Sequence, residues 1–171
     1  GVVDAIILGV KGHALDDAQS PVRPQDALRA AINAAGSAAP ETDDIDKELW
    51  SKFVLFSALS GVTAAGRCTI GDVRTTPELE ALFKRAMSET AQVGRALDVA
   101  LDIDLEAQIW EALMAFPAQG RASTAIYLQH GRPLEIEWVS GAATRLAAKA
   151  GIDAPVNAAL YAILLQHKHG R

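Results

Sequence analysis

The 171-residue sequence has a single cysteine, Cys68, and no long apolar run. One cysteine excludes an intrachain disulfide and gives no metal-ligand spacing, so we expect no metal site. The longest mainly apolar stretches, 53–59 and 158–165, are far shorter than the about 20 residues that cross a bilayer. The N-terminus also lacks the basic region of a signal peptide. These absences favour a reducing, cytoplasmic setting, with no membrane as a partner.

The sequence also lacks an excess of positive charge. Its 16 lysine and arginine residues stand against 21 acidic residues, for a net charge of −5, and no basic stripe is visible. This composition argues against nucleic acid as a partner. Half of the residues are apolar and 22% are charged, which is typical of a globular chain. Few aromatic residues and abundant alanine favour closely packed helices.

One segment has the pattern of a β-strand. Residues 2–10, VVDAIILGV, form a short aliphatic and β-branched run with little alternation, as in a buried parallel strand. Residues 14–19 are similar to the start of a following helix, and two prolines within 20–26 indicate a break. A lone parallel strand has nothing to pair with. The pattern therefore indicates that part of the strand's domain is missing.

The remaining sequence predicts helices with clear starts and stops. Thr76 followed by Pro77 is a typical N-cap with proline at the first helical position. Helical periodicity and end signals predict helices at 26–36, about 45–65, 78–97, about 104–115, 123–129, 133–149 and 156–166. The expected fold class is mainly α, with residues 1–24 as a separate βα segment and residues 25–171 as a helical domain.

Lys52 stands in the very apolar helix LWSKFVLFSALSG, residues 49–61. Helical spacing places four residues on its face: Glu48, Phe56, Leu59 and Ser60. A lysine in this setting either extends its ammonium to water or donates a proton or hydrogen bond to an oxygen that gains negative charge. From the local pattern alone, the first interpretation is favoured.

Two further polar residues have ordinary explanations. If Pro133 begins a helix, Glu135 lies in its first turn, where the helix dipole favours a carboxylate. Ser123 is placed to cap a short helix. The 13 glycines form no GxGxxG motif, so the sequence lacks a dinucleotide-binding fingerprint.

Taken together, these pieces resemble a known family. Residues 44–64, DIDKELWSKFVLFSALSGVTA, then IGDV at 70–73, Ser123, and RPLEIEWVSGAATRLAAKAGIDAPVNAALYA at 132–162 are similar to the C-terminal domain of ketopantoate reductases. These are NADPH-dependent 2-dehydropantoate 2-reductases of pantothenate biosynthesis. The resemblance covers roughly residues 25–166. It implies a multi-helix substrate and catalytic domain of the 6-phosphogluconate-dehydrogenase-like type.

Residues 1–24 resemble a remnant of the family's NADP-binding Rossmann domain. The strand 2–10 looks like one from the middle of that domain, and Lys11 matches a lysine that lines the cleft between cofactor and substrate. The resemblance implies that on the order of 100 residues of a doubly wound domain are missing. NADPH would then be bound largely by residues outside this sequence.

The resemblance also implies roles for individual residues. Lys52 matches the catalytic lysine, which polarises the 2-keto oxygen and protonates the alkoxide as hydride arrives from NADPH. Glu135 matches the acidic partner near the substrate hydroxyl and that lysine, and Ser123 matches a serine that hydrogen-bonds the substrate. The expected function is NADPH-dependent reduction of a small 2-keto acid such as 2-dehydropantoate.

Two positions depart from the family pattern. Substrate-binding asparagines follow the family's lysine by four and eight residues, and here those positions hold Phe56 and Ser60. An apolar ring in place of an amide changes which substrate fits, so a more apolar keto acid is one alternative. The other is a truncated, non-catalytic helical domain that binds a partner or associates with itself as a homodimer. The unpaired apolar strand 2–10 favours such association.

Overall fold

The structure is a computed structural model that describes residues 24–39 and 42–170. These residues form eight α-helices and one 3-10 helix: α1 Pro24–Ala34, α2 Ile45–Ala65, α3 Ile70–Thr75, α4 Pro77–Ala96, α5 Leu105–Ala115, α6 Ser123–Gln129, the 3-10 helix Ile136–Trp138, α7 Ser140–Ala150 and α8 Pro155–Leu165. No β-strand occurs in these two ranges. The mainly α fold class is confirmed. The predicted strand 2–10 and the helix start at 14–19 lie outside the described residues.

The chain divides into two compact units, residues 1–49 and 50–171. The described part of the first unit contains α1, in which the Asp26 carboxylate accepts a hydrogen bond from Arg29 at 2.9 Å. Asn33 accepts a further bond from the Ala39 N–H at 2.8 Å. The helix starts two residues earlier than predicted, and Gly36 follows it with a positive φ.

From Trp50 onward, α2 forms the core helix of the second unit. All eight residues from 57 to 64 are buried, so every face of this half of the helix is covered. Its apolar side chains share one cluster with those of α3, α4 and α5. Buried hydroxyls also meet there, because Ser57 Oγ lies 2.9 Å from Thr90 Oγ1 of α4. None of the described helices is both long and apolar enough to cross a membrane.

The prediction of one helix from Pro133 to Lys149 is wrong. Residues 132–135 belong to no helix, a 3-10 helix follows at Ile136–Trp138, and α7 begins at Ser140. The Leu134 N–H donates to the Lys168 carbonyl at 3.0 Å instead of to a helical carbonyl. Leu134 and Ile136 are both buried. The burial of these two side chains, together with the bond to Lys168, favours this non-helical path.

The short helix α3, Ile70–Thr75, was not predicted from the sequence. It is held by a capping box in which Thr69 Oγ1 accepts from the Asp72 N–H at 3.1 Å and Asp72 accepts from the Thr69 N–H at 2.8 Å. Six residues are too few for apolar periodicity to be visible. The starts of α4 and α8 at Pro77 and Pro155 are confirmed, and Thr76 is the N-cap of α4 although its side chain makes no capping bond.

Among the described residues, five helices end in the same motif. A residue with positive φ follows the last turn, and the next N–H reaches the carbonyl five residues back. After α1, α6 and α7 that residue is Gly36, Gly131 or Gly151. After α2 and α4 it is Arg67, with φ 49°, or Asp98, with φ 61°. A side chain in the left-handed region costs roughly 1 kcal/mol, so glycine would occupy these two positions at lower cost.

Candidate functional site

Lys52 and Phe56 are exposed residues of α2 that precede its buried stretch, residues 57–64. Lys52 is exposed, and Phe56, one helical turn later, is 43% exposed. The Lys52 ammonium stands 5.5 Å from the centre of the Phe56 ring, within the range of a cation–π contact. Lys52 forms no ion pair within the described residues. An accessible cation beside an exposed aromatic ring is therefore available to a ligand that carries both negative charge and apolar surface.

Ser60 continues the same face of α2 into the core. It is 4% exposed, and its hydroxyl forms no hydrogen bond within the described part of the chain. The next residue, Gly61, is tightly enclosed, because a Cβ there would stand 2.9 Å from Leu160 Cδ1. This face of α2 therefore carries an exposed charged group at Lys52 and a buried hydroxyl at Ser60.

Ser123 is the first residue of α6 and is exposed. The N-cap is Ala122, and no side chain caps this helix, so the prediction that Ser123 is a cap is wrong. The Ala122 N–H donates to Thr63 Oγ1 of α2 at 3.4 Å. Thr63 follows Ser60 by one turn. This contact fixes the start of α6, and with it Ser123, against the second half of α2.

Glu135 is exposed and precedes the 3-10 helix as its N-cap residue. It does not lie in the first turn of an α-helix, because residues 132–135 belong to no helix and a 3-10 helix follows them. Its two neighbours are buried in a cluster with α2, α6 and α8: Ala64, Ala125, Leu134, Ile136 and Leu164. The cluster anchors Glu135 near the end of α2. No ion pair joins Glu135 to Lys52 in the residues described.

Glu137, two residues later, holds the segment that carries Glu135. Its carboxylate accepts hydrogen bonds from the Tyr161 hydroxyl at 2.9 Å and from Lys168 Nζ at 3.0 Å. Arg145 lies 3.3 Å from the same carboxylate and donates to the Glu137 carbonyl at 2.7 Å. Bonds from Lys168 and Tyr161 lower the pKa of Glu137. Glu137 was not among the predicted site residues, and the local signal for it is the glutamate pair in LEIEW, residues 134–138.

The structure therefore brings together only part of the predicted site. Lys52 and Phe56 are in contact, Ser60 follows on the same helix, and Ser123 and Glu135 are anchored against the far half of α2. Lys11 lies outside the described residues. Substrate and catalytic roles for these side chains remain predictions.

The sequence model of the family described as ketopantoate reductase PanE/ApbA, C terminal, matches residues 44–168. This match covers most of the sequence, so the chain belongs to the ketopantoate reductase family through its C-terminal domain. The 2-dehydropantoate 2-reductase of Archaeoglobus fulgidus is 29% identical over 126 residues, which is 74% of this chain and 42% of that protein. The enzyme of the same name from Vibrio cholerae is 28% identical over 69% of this chain and 40% of its own length. The chain thus spans less than half the length of these curated relatives.

Solved structures share the fold. The PanE/ApbA family ketopantoate reductase of Ralstonia eutropha superposes with a TM-score of 0.78 at 28% identity, over 86% of this chain and 49% of that one. A dimeric ketopantoate reductase from Staphylococcus aureus gives 0.76 at 20% identity, over 83% and 49%. D-mandelate dehydrogenase with NADH and anilino(oxo)acetate gives 0.74 at 17% identity, over 86% and 64%. The last two likenesses concern the fold alone.

Proposed function

We propose that this member of the ketopantoate reductase family supplies the substrate-binding part of an NADPH-dependent reductase, which converts a 2-keto acid such as 2-dehydropantoate to the 2-hydroxy acid of pantothenate biosynthesis. The proposal rests on the position and exposure of Lys52. The family match includes both Lys52 and Glu135. Lys52 is exposed and has no ion-pair partner in the described ranges, so its ammonium is free to meet a substrate oxygen.

In this proposal Lys52 acts on the keto oxygen. Its ammonium donates a hydrogen bond that polarises the carbonyl, and it gives up a proton as negative charge develops on that oxygen. Glu135 approaches the substrate from the segment that Glu137 holds, and offsets the positive charge of Lys52. Ser123 and Ser60 supply hydroxyls for the remaining polar groups of the substrate. Ser60 suits this role because no protein group uses its hydroxyl in the described residues.

The hydride would come from NADPH. Residues 24–39 and 42–170, which the structure describes, contain no dinucleotide-binding site. Dinucleotides bind at the carboxyl ends of parallel strands, next to a glycine-rich turn. The described ranges contain no strand, and the whole sequence has no GxGxxG motif. NADPH would therefore need to be bound by other residues. The role of Lys11 in binding it stays a prediction.

Phe56 favours a substrate more apolar than 2-dehydropantoate. Its ring is 43% exposed and lies beside the Lys52 ammonium. A keto acid with an aromatic or branched side chain can cover this ring while its carbonyl faces Lys52. Burying such apolar surface contributes about 25 cal/mol per Å². An asparagine at this position, as the family resemblance implies, would instead favour a hydroxyl-bearing substrate.

A homodimer is the proposed assembly. The S. aureus structure is described as dimeric. In this chain, Ile163 and Leu165 of α8 are 51% and 36% exposed, which leaves apolar surface for a second copy. Size-exclusion chromatography with light scattering over a range of concentrations tests this, and a monomer at every concentration contradicts it.

The binding step can be tested on the 171-residue chain. We expect 2-dehydropantoate to shift the NMR signals of Lys52, Phe56 and Ser60 in a saturable way. Lys52→Ala should weaken binding by roughly tenfold or more, since a hydrogen bond to a charged group is lost. Lys149→Ala, a charge change at an exposed lysine of α7, is the matched control. Equal affinity in Lys52→Ala and wild type removes Lys52 from the site.

A further inference from the structure

A pocket of about 180 Å³ lies where the end of α2, the end of α6 and the C-terminal turn meet. It is lined by Arg67, Leu128, Gln129, Gly131, Arg132, His167 and Gly170. Its volume is below the roughly 300–1,000 Å³ of pockets that accept drug-sized ligands, so any occupant is small. Lys52 and Ala65 are 13 residues apart on α2, which at 1.5 Å per residue separates them by about 20 Å. The pocket is therefore distinct from the surface around Lys52.

The polar lining of this pocket is cationic. Arg67, Arg132, His167 and Gln129 contribute to it, and no carboxylate does. Within the described part of the chain, neither guanidinium forms a hydrogen bond or ion pair. The Arg132 guanidinium lies 5.7 Å from the centre of the Tyr127 ring, a contact that leaves its N–H donors unused.

The free state of these two arginines is unusual in this protein. Each of the other described arginines has a polar partner in the protein: Arg29, Arg74, Arg85, Arg95, Arg121 and Arg145. Among the described residues, Arg67 and Arg132 are the two arginines without a polar partner. Both of them line this pocket. Because both arginines line one pocket without an anionic partner in the described residues, an anion bound there would offset two positive charges.

The backbone around the pocket is specialised as well. Arg67, Gly131 and Gly170 all have positive φ values, of 49°, 63° and 85°. A Cβ at Gly170 would stand 2.6 Å from the Gly131 carbonyl oxygen, so this close approach requires glycine. Arg67 instead occupies a left-handed position that glycine would take at lower cost. A ligand for its guanidinium gives a physical reason for an arginine there.

We propose that this pocket binds a small phosphate group, either inorganic phosphate or a phosphate monoester. A guanidinium presents two parallel N–H donors that match two phosphate oxygens, and such charge-assisted bonds are the strong ones. A phosphate group carries about −1.5 to −2 charge near neutral pH, which matches two guanidiniums, whereas a single carboxylate leaves one of them uncompensated. Gln129 supplies a neutral donor at the rim. This site does not depend on the proposed reductase activity.

The test is an NMR titration of the 171-residue chain with inorganic phosphate and, separately, with ethyl phosphate. Sodium chloride is exchanged to keep the ionic strength constant. We expect saturable shifts of the backbone signals of Gly131, Arg132 and Gly170. Stronger binding of ethyl phosphate assigns the site to monoesters, and stronger binding of inorganic phosphate assigns it to the free ion. Shifts that do not saturate, or that saturate only elsewhere, overturn the proposal.

Two glycine variants separate binding from folding. Arg67→Gly should weaken phosphate binding by roughly tenfold or more, because charge-assisted bonds are lost. Its melting temperature should be unchanged or slightly higher, since the left-handed backbone is relieved. Asp98→Gly is the matched control, with the same backbone change after α4 and no place in the pocket lining. Wild-type phosphate affinity in Arg67→Gly contradicts the proposal.

Discussion

The carboxylate of Glu89 accepts two hydrogen bonds from Asn157, one from its backbone N–H and one from its side-chain amide, both at 3.0 Å. It accepts a third from the Val156 N–H at 3.1 Å. Glu89 lies on α4 and is 2% exposed, and these N–H groups belong to the first turn of α8. A buried side chain of one helix therefore caps another helix, at the end where the dipole favours negative charge.

Removing this cap should destabilise the protein. Glu89→Ala leaves buried donors unsatisfied, and we expect a loss of about 2–4 kcal/mol in the free energy of unfolding. For a chain of this size that corresponds to a fall of roughly 5–15 °C in melting temperature. Glu111→Ala, at an exposed glutamate of α5, should change the free energy by less than about 0.5 kcal/mol. Similar melting temperatures for the two variants would contradict the structural role of Glu89.

The Glu137–Tyr161 pair should make stability depend on pH at both extremes. Hydrogen bonds from Lys168 and Tyr161 lower the pKa of Glu137 below its ordinary 4.5, and the bond to Glu137 raises the pKa of Tyr161 above its ordinary 10.0. A lowered carboxyl pKa means that the unfolded chain binds the proton more readily. The contribution of Glu137 to the free energy of unfolding is therefore complete above pH 4.5, and it is lost as pH falls through the pKa of the folded state. The contribution of Tyr161 is complete below pH 10.0, and it is lost as pH rises through the raised pKa of the folded state.

Tyr161→Phe tests this pair. The wild type should be more stable than the variant, and this difference in the free energy of unfolding should be largest between pH 4.5 and pH 10.0. It should shrink below pH 4.5 and above pH 10.0. Urea titrations at a series of pH values measure it. Tyr127→Phe removes a hydroxyl without a hydrogen bond in the described residues and serves as the control. A difference that stays constant across the whole pH range would rule out the linkage.

Gly94 of α4 should not tolerate alanine, although alanine is the better helix former. An added Cβ would lie 2.8 Å from Trp50 Cε3 and 2.8 Å from Leu101 Cδ1. Overpacking costs about 1–3 kcal/mol, against a gain of about 1 kcal/mol in helix propensity. We expect a net loss of about 1–2 kcal/mol in denaturant unfolding. In a Trp50→Leu background the loss from Gly94→Ala should be smaller, because Leu101 then remains as the close neighbour. If Gly94→Ala stabilises the protein with Trp50 in place, Trp50 does not restrict this position.

Phe56 should set the choice of keto acid if the proposed function is right. Phe56→Asn should shift relative affinity roughly tenfold from phenylglyoxylate towards 2-dehydropantoate, because an amide replaces the apolar ring beside Lys52. The variant should fold normally, since the side chain is 43% exposed. Calorimetric titration with both acids measures the ratio. Met114→Asn, at a side chain of 46% exposure on α5, is the control and should leave it unchanged.

Much of the fold could be predicted from the sequence. The bounds of α2 and α6 match the predicted 45–65 and 123–129, and α4, α5 and α8 begin within one residue of their predicted starts. These helices carry strong local signals, such as proline at the first position or a long run of apolar residues. Where the local signal was misleading, at 133–139, the Leu134 N–H donates to the Lys168 carbonyl, a partner that local sequence does not reveal.

From residue types and motifs alone we could infer the family, the helical architecture and the candidate side chains Lys52, Phe56, Ser60, Ser123 and Glu135. These depend on residue type and spacing along the chain. The folded chain was needed to show that Glu89 caps α8, that Glu137 holds the segment of Glu135, and that Arg67 and Arg132 line one pocket. Each of these depends on atoms brought together by long-range contacts. Burial, hydrogen-bond geometry and unpaired charge are properties of such contacts, and no short stretch of sequence contains both partners.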